Sequence, residues 1–427
     1  MIWAKALPRW GASLAAAAVA LTAVFLRQEG VPKAFTIWAE DGQVFANCAF
    51  RDPTQLTCLG EVYGGYFHTV PRLGAALASV LPPVLLPVWL TLAAAIVTAA
   101  CAALVARVVV DLSGSRVSGV LAGASLALTY HAGREVGGNL ANLHWILLVA
   151  AVVVLVAGWI GRRPQAADIG LVAAAAFSSA FAPLLVGLAV PALLRRQPGS
   201  RPVFALTALA TVMQVGASVA HPRNEPVQRM IDGSAFAEYA WSQIVGRGAF
   251  GGHAFPLDAA VWFGLVVVGA VLASLAFRSR APEVAAKRAL AAVVALTAIG
   301  LAIATASVVL NNFLGPRYAY VPATLAVIAL VLGSARASTL LIGDPRLPFV
   351  ARTLGRGLTA LVSVGLIAGF ALSFRLEARA SGGPDVLAEY RAASAACRAG
   401  EDQIRLVTAP DPASGRWSVT VPCDRVR

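Results

Sequence analysis

Long apolar runs recur along almost the whole chain, and they constrain its fold more than any other feature. Most runs are long enough to form a helix across a bilayer, where every backbone polar group needs a partner. Hydrophobic residues make up 58% of the 427 residues, charged residues only 13%, and the mean hydropathy is +0.74. Such values are far from those of a soluble domain. The sequence therefore predicts an all-α polytopic membrane protein of about 11 helical segments.

One apolar run, residues 168–194, is interrupted by small residues and by Pro183. A single crossing would put Arg195 and Arg196 outside, on the side that the charge pattern keeps neutral. Broken helices are tolerated in membranes where they line a cavity. We therefore predict a broken pair of short helices that meet near Pro183, with both free ends on the cytoplasmic side.

The net charge of +13 is distributed asymmetrically along the chain. The predicted outer loops and tail hold equal numbers of basic and acidic residues, so the excess lies on the predicted cytoplasmic loops. That asymmetry is the positive-inside pattern and not a nucleic-acid footprint, and we expect no nucleic-acid partner. It predicts a multi-pass protein in the lipid bilayer with its N-terminus in the cytoplasm, an uncleaved first helix and its C-terminus outside.

The same pattern divides the chain into a transmembrane domain, residues 1–374, and a cap, residues 375–427. The domain has four predicted outer loops, at residues 27–83, 131–143, 221–258 and 311–318. The tail is too polar to lie in a membrane. It combines a helical face with two alternating segments, so it predicts a small extracytoplasmic α+β cap.

The five cysteines fall into two pairs and a singleton. Cys48 and Cys58 share the first outer loop, Cys397 and Cys423 share the tail, and Cys101 lies inside an apolar run. An oxidising exterior favours a disulfide in each pair over free thiols. A tail of this size has too little core to be stable alone, and the second bridge would staple it.

Two adjacent carboxylates, Glu40 and Asp41, follow the first apolar run in the stretch 35–45. A turn explains part of this stretch, because Asp41 and Gly42 form a common turn pair and Asp41 is suited to cap a helix from Gln43. The turn gives Glu40 no function. Ionisable groups next to a membrane core are more often functional than structural. We therefore favour a functional site here.

Other polar residues in the predicted outer loops are suited to the same site. The first loop offers Tyr66, His68 and Arg72, the second Arg134, Glu135, Asn139, Asn142 and His144, and the last Arg317 and Tyr318. Each also has a simpler interpretation: an arginine that extends to the interface, a histidine beside an interfacial tryptophan, or a turn at Gly315 and Pro316. Acids in one loop and arginines in three loops on one face favour a common site over these interpretations.

Such a set suits transfer onto a hydroxyl group with a phosphate as leaving group. A carboxylate takes the proton of the acceptor, and arginines bind and neutralise the departing phosphate. Aromatic side chains hold a sugar or a lipid chain. The sequence contains no P-loop, no Cys/His metal spacing, no nucleophile elbow and no dinucleotide fingerprint.

The chain resembles the GT-C class of membrane glycosyltransferases, which use polyprenyl-phosphate-linked sugars. The resemblance rests on the first-loop acids in the segment 38–42, an interfacial helix after them, the broken pair, and Arg317 with Tyr318 in a late loop. It implies a glycosyltransferase, hexosyl or pentosyl, of cell-envelope synthesis, with Asp41 first and Glu40 second as the base or a metal-linked acid. It leaves open a divalent metal, Mg or Mn.

The resemblance also implies a set of binding residues and partners. Residues Arg72, His68, Arg134, Arg317 and Tyr318 would bind the donor phosphate and lipid, and Glu135, Asn139, Asn142, His144 and Tyr66 the substrate. A glycan or lipid would be the acceptor. Abundant Ala, Arg and Val with scarce Lys indicate a GC-rich bacterial source, and hence a bacterial plasma membrane.

Two other functions fit the same features. A transporter or flippase for a lipid or lipid-linked sugar would also use broken helices, but it predicts polar residues at mid-membrane depth. A non-catalytic membrane partner in envelope assembly would leave Glu40 and Asp41 replaceable.

Overall fold

The computed structural model describes residues 2–51, 56–222, 233–251, 255–278, 282–311, 314–343, 347–410 and 417–426. Parts of the predicted loops 27–83, 221–258 and 311–318 and of the tail therefore lie outside the described residues. Within them the chain forms sixteen α-helices and two β-strands. The helices are α1 Ile2–Leu26, α2 Asn47–Arg51, α3 Leu56–Gly60, α4 Thr69–Ala78, α5 Leu86–Ser113, α6 Arg116–Leu128, α7 Leu143–Trp159, α8 Ala166–Ser178, α9 Ala182–Leu194, α10 Ser200–Ala220, α11 Gly233–Tyr239, α12 Phe255–Arg278, α13 Pro282–Asn311, α14 Tyr320–Gly343, α15 Phe349–Leu372 and α16 Val386–Arg398; the strands are β1 Gln403–Val407 and β2 Ser418–Pro422.

Six helices are long and apolar enough to cross a membrane: α5, α10, α12, α13, α14 and α15. Five shorter apolar helices, α1, α6, α7, α8 and α9, complete the bundle among the described residues. The predicted all-α polytopic fold with about 11 segments is thus confirmed. Helix α14 runs on through Arg336 to Gly343 and α15 begins at Phe349, so most of the basic segment 335–356 is helical.

Helix α7 lies at the centre of the bundle, with nearly every residue from Leu143 to Gly158 buried. It packs against α5, α8, α9 and α14. Helix α6 approaches α5 closely through Gly119 and Gly123, where a Cβ at Gly119 would lie 2.8 Å from the Ala106 carbonyl oxygen. Small residues at helix contacts are typical of membrane bundles, since close backbone approach gains dispersion contacts that lipid cannot supply.

The broken pair α8 and α9 is present, with three residues between the two helices. The free end of α8 is tied by Asp168, which accepts from Arg107 at 2.5 Å and from Arg162 at 2.8 Å. The free end of α9 is tied nearby, where Gln197 donates to the Gly158 carbonyl at 2.9 Å. Both free ends therefore lie at the same end of the bundle, which we call the basic end.

The junction of α8 and α9 points toward the opposite end of the bundle. There Thr69 Oγ1 donates to the Phe177 carbonyl at 2.8 Å, and Val70 N donates to Ser178 Oγ at 3.0 Å. Each helix has 13 residues, so each extends about 20 Å. That is less than the roughly 30 Å of a hydrocarbon core. The pair therefore enters the bundle from the basic end and stops inside it.

The described C-terminal residues, 375–410 and 417–426, form a small cap on the end of the bundle opposite the basic end, which we call the cap end. Strands β1 and β2 pair antiparallel, with Ile404 opposite Val421, and α16 packs against β1. A disulfide joins Cys397 to Cys423. The apolar side chains of both strands belong to the same buried cluster as the helix bundle. The predicted helix-plus-strands cap is therefore confirmed, and it shares its core with the bundle.

The cap packs directly on the first loop. Ala409 N donates to the Ile37 carbonyl at 2.9 Å, and Asn47 Oδ1 accepts from Thr420 N at 2.7 Å. A Cβ at Gly42 would lie 2.9 Å from Thr408 Cγ2, so glycine is needed for this approach. Residues far apart in sequence thus hold the stretch that carries Glu40 and Asp41.

Arg27 ties three helix ends together at the cap end. Its guanidinium is 2% exposed and donates to the carbonyls of Ala127, Thr129, Ser373 and Phe374. These carbonyls lie at or beyond the C-termini of α6 and α15, where helix carbonyls lack partners and a cation is favourable. A buried arginine is tolerated here because it has four acceptors.

Candidate functional site

A cavity of about 200 Å³ lies at the cap end of the bundle. Four segments and the junction of α8 and α9 contribute to its wall. The lining residues are Glu40, Tyr63, Gly64, Tyr66, His68, Ala141, Asn142, His144, Trp145, Ser179, Ala180, Phe181, Ser218, Arg317 and Tyr318. Seven of the predicted site residues therefore meet here: Glu40, Tyr66, His68, Asn142, His144, Arg317 and Tyr318.

Glu40 is the carboxylate of this cavity among the described residues. It directly precedes a π-helical turn, Asp41–Ala46. Its Oε2 is buried and has no hydrogen-bond partner within the described residues. A buried acceptor without a partner is costly, and such atoms occur where a ligand is to be bound. Glu40 thus lines the cavity and has one buried carboxylate oxygen without a partner in the described chain.

Asp41 has a different environment, although it is the next residue. It is 2% exposed, and its Oδ2 and Oδ1 accept from the backbone amides of Leu140 and Ala141, both at 2.8 Å. Burial raises the pKa of Asp41 to about 7, against the two backbone hydrogen bonds and the nearby Lys33, which lower it. Asp41 does not line the cavity. Its carboxylate holds the loop that leads into α7.

Glu135 binds two arginines from different parts of the chain. Its Oε1 accepts from Arg379 Nη1 at 2.8 Å and lies 3.5 Å from Arg317 Nη1. Its Oε2 is buried without a partner in the described part of the chain. Arg317 also stacks on the Tyr318 ring at 5.5 Å, and Arg379 lies 5.7 Å from the Trp38 ring centroid. This ion cluster joins the first loop, the second loop, the late loop and the cap beside the cavity.

Aromatic rings form another part of the cavity wall. The centroids of Tyr66 and His68 are 4.1 Å apart, and those of His68 and His144 are 5.8 Å apart. His144 Nδ1 lies 2.8 Å from the Ala141 carbonyl and donates to it, which fixes the ring. Trp145 follows, with an indole Nε1 that is buried and unpartnered among the described residues. The wall therefore offers flat apolar faces with polar edges.

The two asparagines of the second loop support its backbone. Asn139 Nδ2 donates to the Glu135 carbonyl at 2.7 Å, and Asn139 Oδ1 accepts from Asn142 N at 2.9 Å. Asn142 reaches the cavity, whereas Asn139 is buried behind it.

Arg72 and Arg134 do not reach the cavity. Arg72 is 2% exposed, with its guanidinium 5.3 Å from the Phe45 ring centroid and 3.5 Å from Glu61 Oε2. Arg134 donates to the Tyr130 hydroxyl at 2.6 Å and stacks on that ring. The expected ring of three arginines is thus replaced by Arg317 alone at the cavity, with Arg379 behind it.

Several lining residues were not among the predicted site residues. Tyr63 and Trp145 adjoin predicted ones, and Ser218 comes from a membrane-spanning helix. The break between α8 and α9 contributes Ser179, Ala180 and Phe181. The interruption of the apolar run in the sequence could have indicated that these residues line a cavity. The place of Arg379 beside the cavity could not be predicted, since nothing in the tail sequence indicates contact with the second loop.

The acids near the cavity offer few free ligands to a divalent metal. Asp41 has both oxygens on backbone amides, and Glu135 is held by two arginines. In the described chain the one close group of three potential ligands is Cys48, Cys58 and Glu61, and its cysteines form a disulfide. Glu40 alone cannot hold Mg²⁺ or Mn²⁺, which need several oxygen ligands. These residues do not fit a protein-held metal.

The disulfide between Cys48 and Cys58 lies in the first loop, just before the cavity residues Tyr63 to His68. Cys101 is a buried free thiol. Comparison with protein-family models found no match, and no curated protein matches the chain either.

Proposed function

We propose that this protein is an integral membrane glycosyltransferase that moves a sugar from a polyprenyl-phosphate donor to a hydroxyl acceptor. One observation carries the proposal: Glu40, with an unpartnered buried oxygen, and Arg317 line the same small cavity. An acid with one unpartnered oxygen and a guanidinium in the same cavity supply the two charges that this transfer needs. The asymmetry of basic residues supports an extracytoplasmic site in a bacterial plasma membrane.

The reaction is a direct displacement at the anomeric carbon. Glu40 takes the proton of the acceptor hydroxyl as its oxygen forms the bond to that carbon. The bond from the anomeric carbon to the phosphate oxygen breaks, and the phosphate leaves with the electron pair. Arg317 lies where it neutralises this developing charge, with planar, forked donors suited to phosphate. No step in this scheme requires a metal.

Asp41 has a positioning function in this proposal, in place of the catalytic function predicted first for it. Its two hydrogen bonds fix residues 140 and 141, and Ala141 in turn accepts from the ring of His144. The two adjacent acids thus have different functions in this proposal. Glu40 faces the substrate, and Asp41 holds the loop that forms part of the cavity wall.

The cavity volume and its mouth support a lipid-linked donor. At about 200 Å³, the cavity is smaller than pockets for drug-sized ligands, roughly 300 to 1,000 Å³. It therefore suits one sugar ring rather than an oligosaccharide. Ser218, on α10, lines it and is exposed. On the same helix Val215 is 48% and Val219 77% exposed, so an apolar, lipid-facing surface adjoins the mouth.

The pair α8 and α9 also favours a second candidate, a transporter or flippase for the same lipid-linked sugar. Helices that stop inside a bundle are common at transport sites. Both candidates bind the lipid phosphate, but only the transferase breaks a covalent bond. The function of Glu40 therefore separates them.

A transfer assay with purified protein in lipid nanodiscs tests the proposal. Polyprenyl-phosphate hexoses and pentoses serve as donors, bacterial envelope glycolipids as acceptors, and release of free polyprenyl phosphate is measured. We expect release by the parent protein and at least about a hundredfold less from Glu40→Gln, the scale of a lost general base. Equal release by both proteins would contradict catalysis. Movement of fluorescent polyprenyl-phosphate sugar across proteoliposomes without any release would favour the transporter.

A further inference from the structure

The cap supplies a charge to the site. Arg379 lies in the segment between α15 and α16, and its side chain is 42% exposed. Its Nη1 is 2.8 Å from Glu135 Oε1, the same oxygen that lies 3.5 Å from Arg317 Nη1. The shorter of the two contacts thus belongs to the cap and not to the cavity arginine.

The balance of charge beside the cavity depends on this contact. Glu40, Glu135 and Arg317 together carry one net negative charge, which repels a phosphate. The positive charge of Arg379 brings the net charge of these four residues to zero. Arg379 also makes the shorter of the two arginine contacts with Glu135. Because Glu135 is then neutralised by the cap, the Arg317 guanidinium keeps donors for a second anion. Asp41 and Lys33 are buried groups of opposite formal charge that do not line the cavity.

A second contact links Arg379 to the first loop. Its guanidinium lies 5.7 Å from the ring centroid of Trp38, two residues before Glu40. Its backbone N donates to the Arg134 carbonyl at 2.9 Å, next to Glu135. The residue is therefore held by both loops and does not depend on the ion pair alone for its place.

We propose that Arg379 is a positioning residue that makes the cavity able to bind the phosphate of a polyprenyl phosphate, by neutralising Glu135 and leaving Arg317 available. This inference rests on the proposed function, since it concerns the same phosphate. It assigns to the cap a direct part in donor binding, beyond covering the first loop.

Binding of farnesyl phosphate to the full-length protein in nanodiscs, followed by calorimetry at low salt, is the test. Arg379→Gln should weaken binding by about twofold to fivefold, the scale of one partly exposed charge. The loss should shrink at high salt. Arg391→Gln removes an exposed arginine of the same cap on α16. This control should bind like the parent.

The decisive variant is the double change Glu135→Gln with Arg379→Gln. If Arg379 acts by neutralising Glu135, removing both charges restores binding to the parent value. If Arg379 only holds the cap in place, the double variant binds as weakly as Arg379→Gln, and the inference is wrong. Unchanged binding in Arg379→Gln would also overturn it. A parent protein that binds no farnesyl phosphate would instead contradict the proposed function itself.

Discussion

Glu40 keeps a buried carboxylate oxygen at the cavity, whereas the adjacent Asp41 has both oxygens bonded to the backbone amides of Leu140 and Ala141. Neighbouring acids of one short stretch thus have different tasks. A single amide substitution at each position separates these tasks, because it removes the charge with little change of size.

Replacement of Glu40 by glutamine should abolish transfer and spare donor binding. The amide cannot accept the acceptor proton, so turnover should fall at least about a hundredfold. The phosphate contact through Arg317 is untouched, and the cavity loses a negative charge. Farnesyl phosphate should therefore bind at least as tightly as to the parent, and up to about fivefold more tightly, the scale of one charge. Glu29→Gln, an exposed acid just beyond α1, is the matched control. Turnover lost equally in both variants would disagree with this prediction.

Replacement of Arg317 by glutamine should weaken donor binding. The cavity loses its guanidinium, and the expected loss is about 10-fold to 100-fold, the scale of a charge-assisted hydrogen bond. Arg134→Gln serves as the comparison, because Arg134 binds Tyr130 and does not line the cavity. Calorimetry with farnesyl phosphate measures both. A larger loss in the Arg134 variant would show that the phosphate lies elsewhere.

The stability of the protein should depend on pH through Asp41. Burial raises its pKa from 3.8 to about 7, so the folded state binds more protons than the unfolded state between these values. The stabilisation that Asp41 contributes is therefore greatest in acid, and falls as pH rises through this window, by at most about 1.4 kcal/mol per pH unit. Above about pH 7 the contribution should level off.

Thermal unfolding in detergent checks this, with the disulfides intact. The melting temperature of the parent minus that of Asp41→Asn should fall between about pH 4 and pH 7. The difference removes the effects of Glu40, Lys33 and other groups that both proteins share. A flat difference curve would mean that Asp41 titrates normally. Asparagine also presents an NH₂ to one of the two backbone amides, so the variant should be less stable than the parent throughout.

The cap end should be extracytoplasmic and the basic end cytoplasmic. Arg391→Cys, exposed on the cap, should react with a membrane-impermeant maleimide in intact cells. Arg201→Cys, exposed near the start of α10 at the basic end, should react only after permeabilisation. The native cysteines should give little background labelling, because Cys101 is buried and the four others form disulfides. The reverse labelling pattern would invert the proposed orientation.

The number and places of the helices could be predicted from the sequence because apolar length is a strong and local signal. The break between α8 and α9 could be predicted too, since small residues and Pro183 interrupt an apolar run. The two strands β1 and β2 could be predicted from the alternation of apolar and polar residues in the tail. Each of these signals lies within one segment of the chain.

The division between Glu40 and Asp41 could not be predicted, because two adjacent residues show no periodicity and a π-helical turn starts between them. Arg72 carries a charge and yet is buried against Phe45, so charge alone did not reveal its position. The contact of Arg379 with Glu135 joins residues 244 positions apart. Such contacts depend on how the loops converge, which single segments do not encode.

The contacts of the cap with the first loop have a consequence for synthesis in the cell. Thr420 binds Asn47 across 373 positions, and Ala409 binds Ile37. The ribosome makes the first loop well before these partners. While the chain is inserted helix by helix, the segment with Glu40 has none of these supports. An incomplete chain thus enters the membrane without a finished site, and the contacts of the cap complete the site after the helices between them are in place.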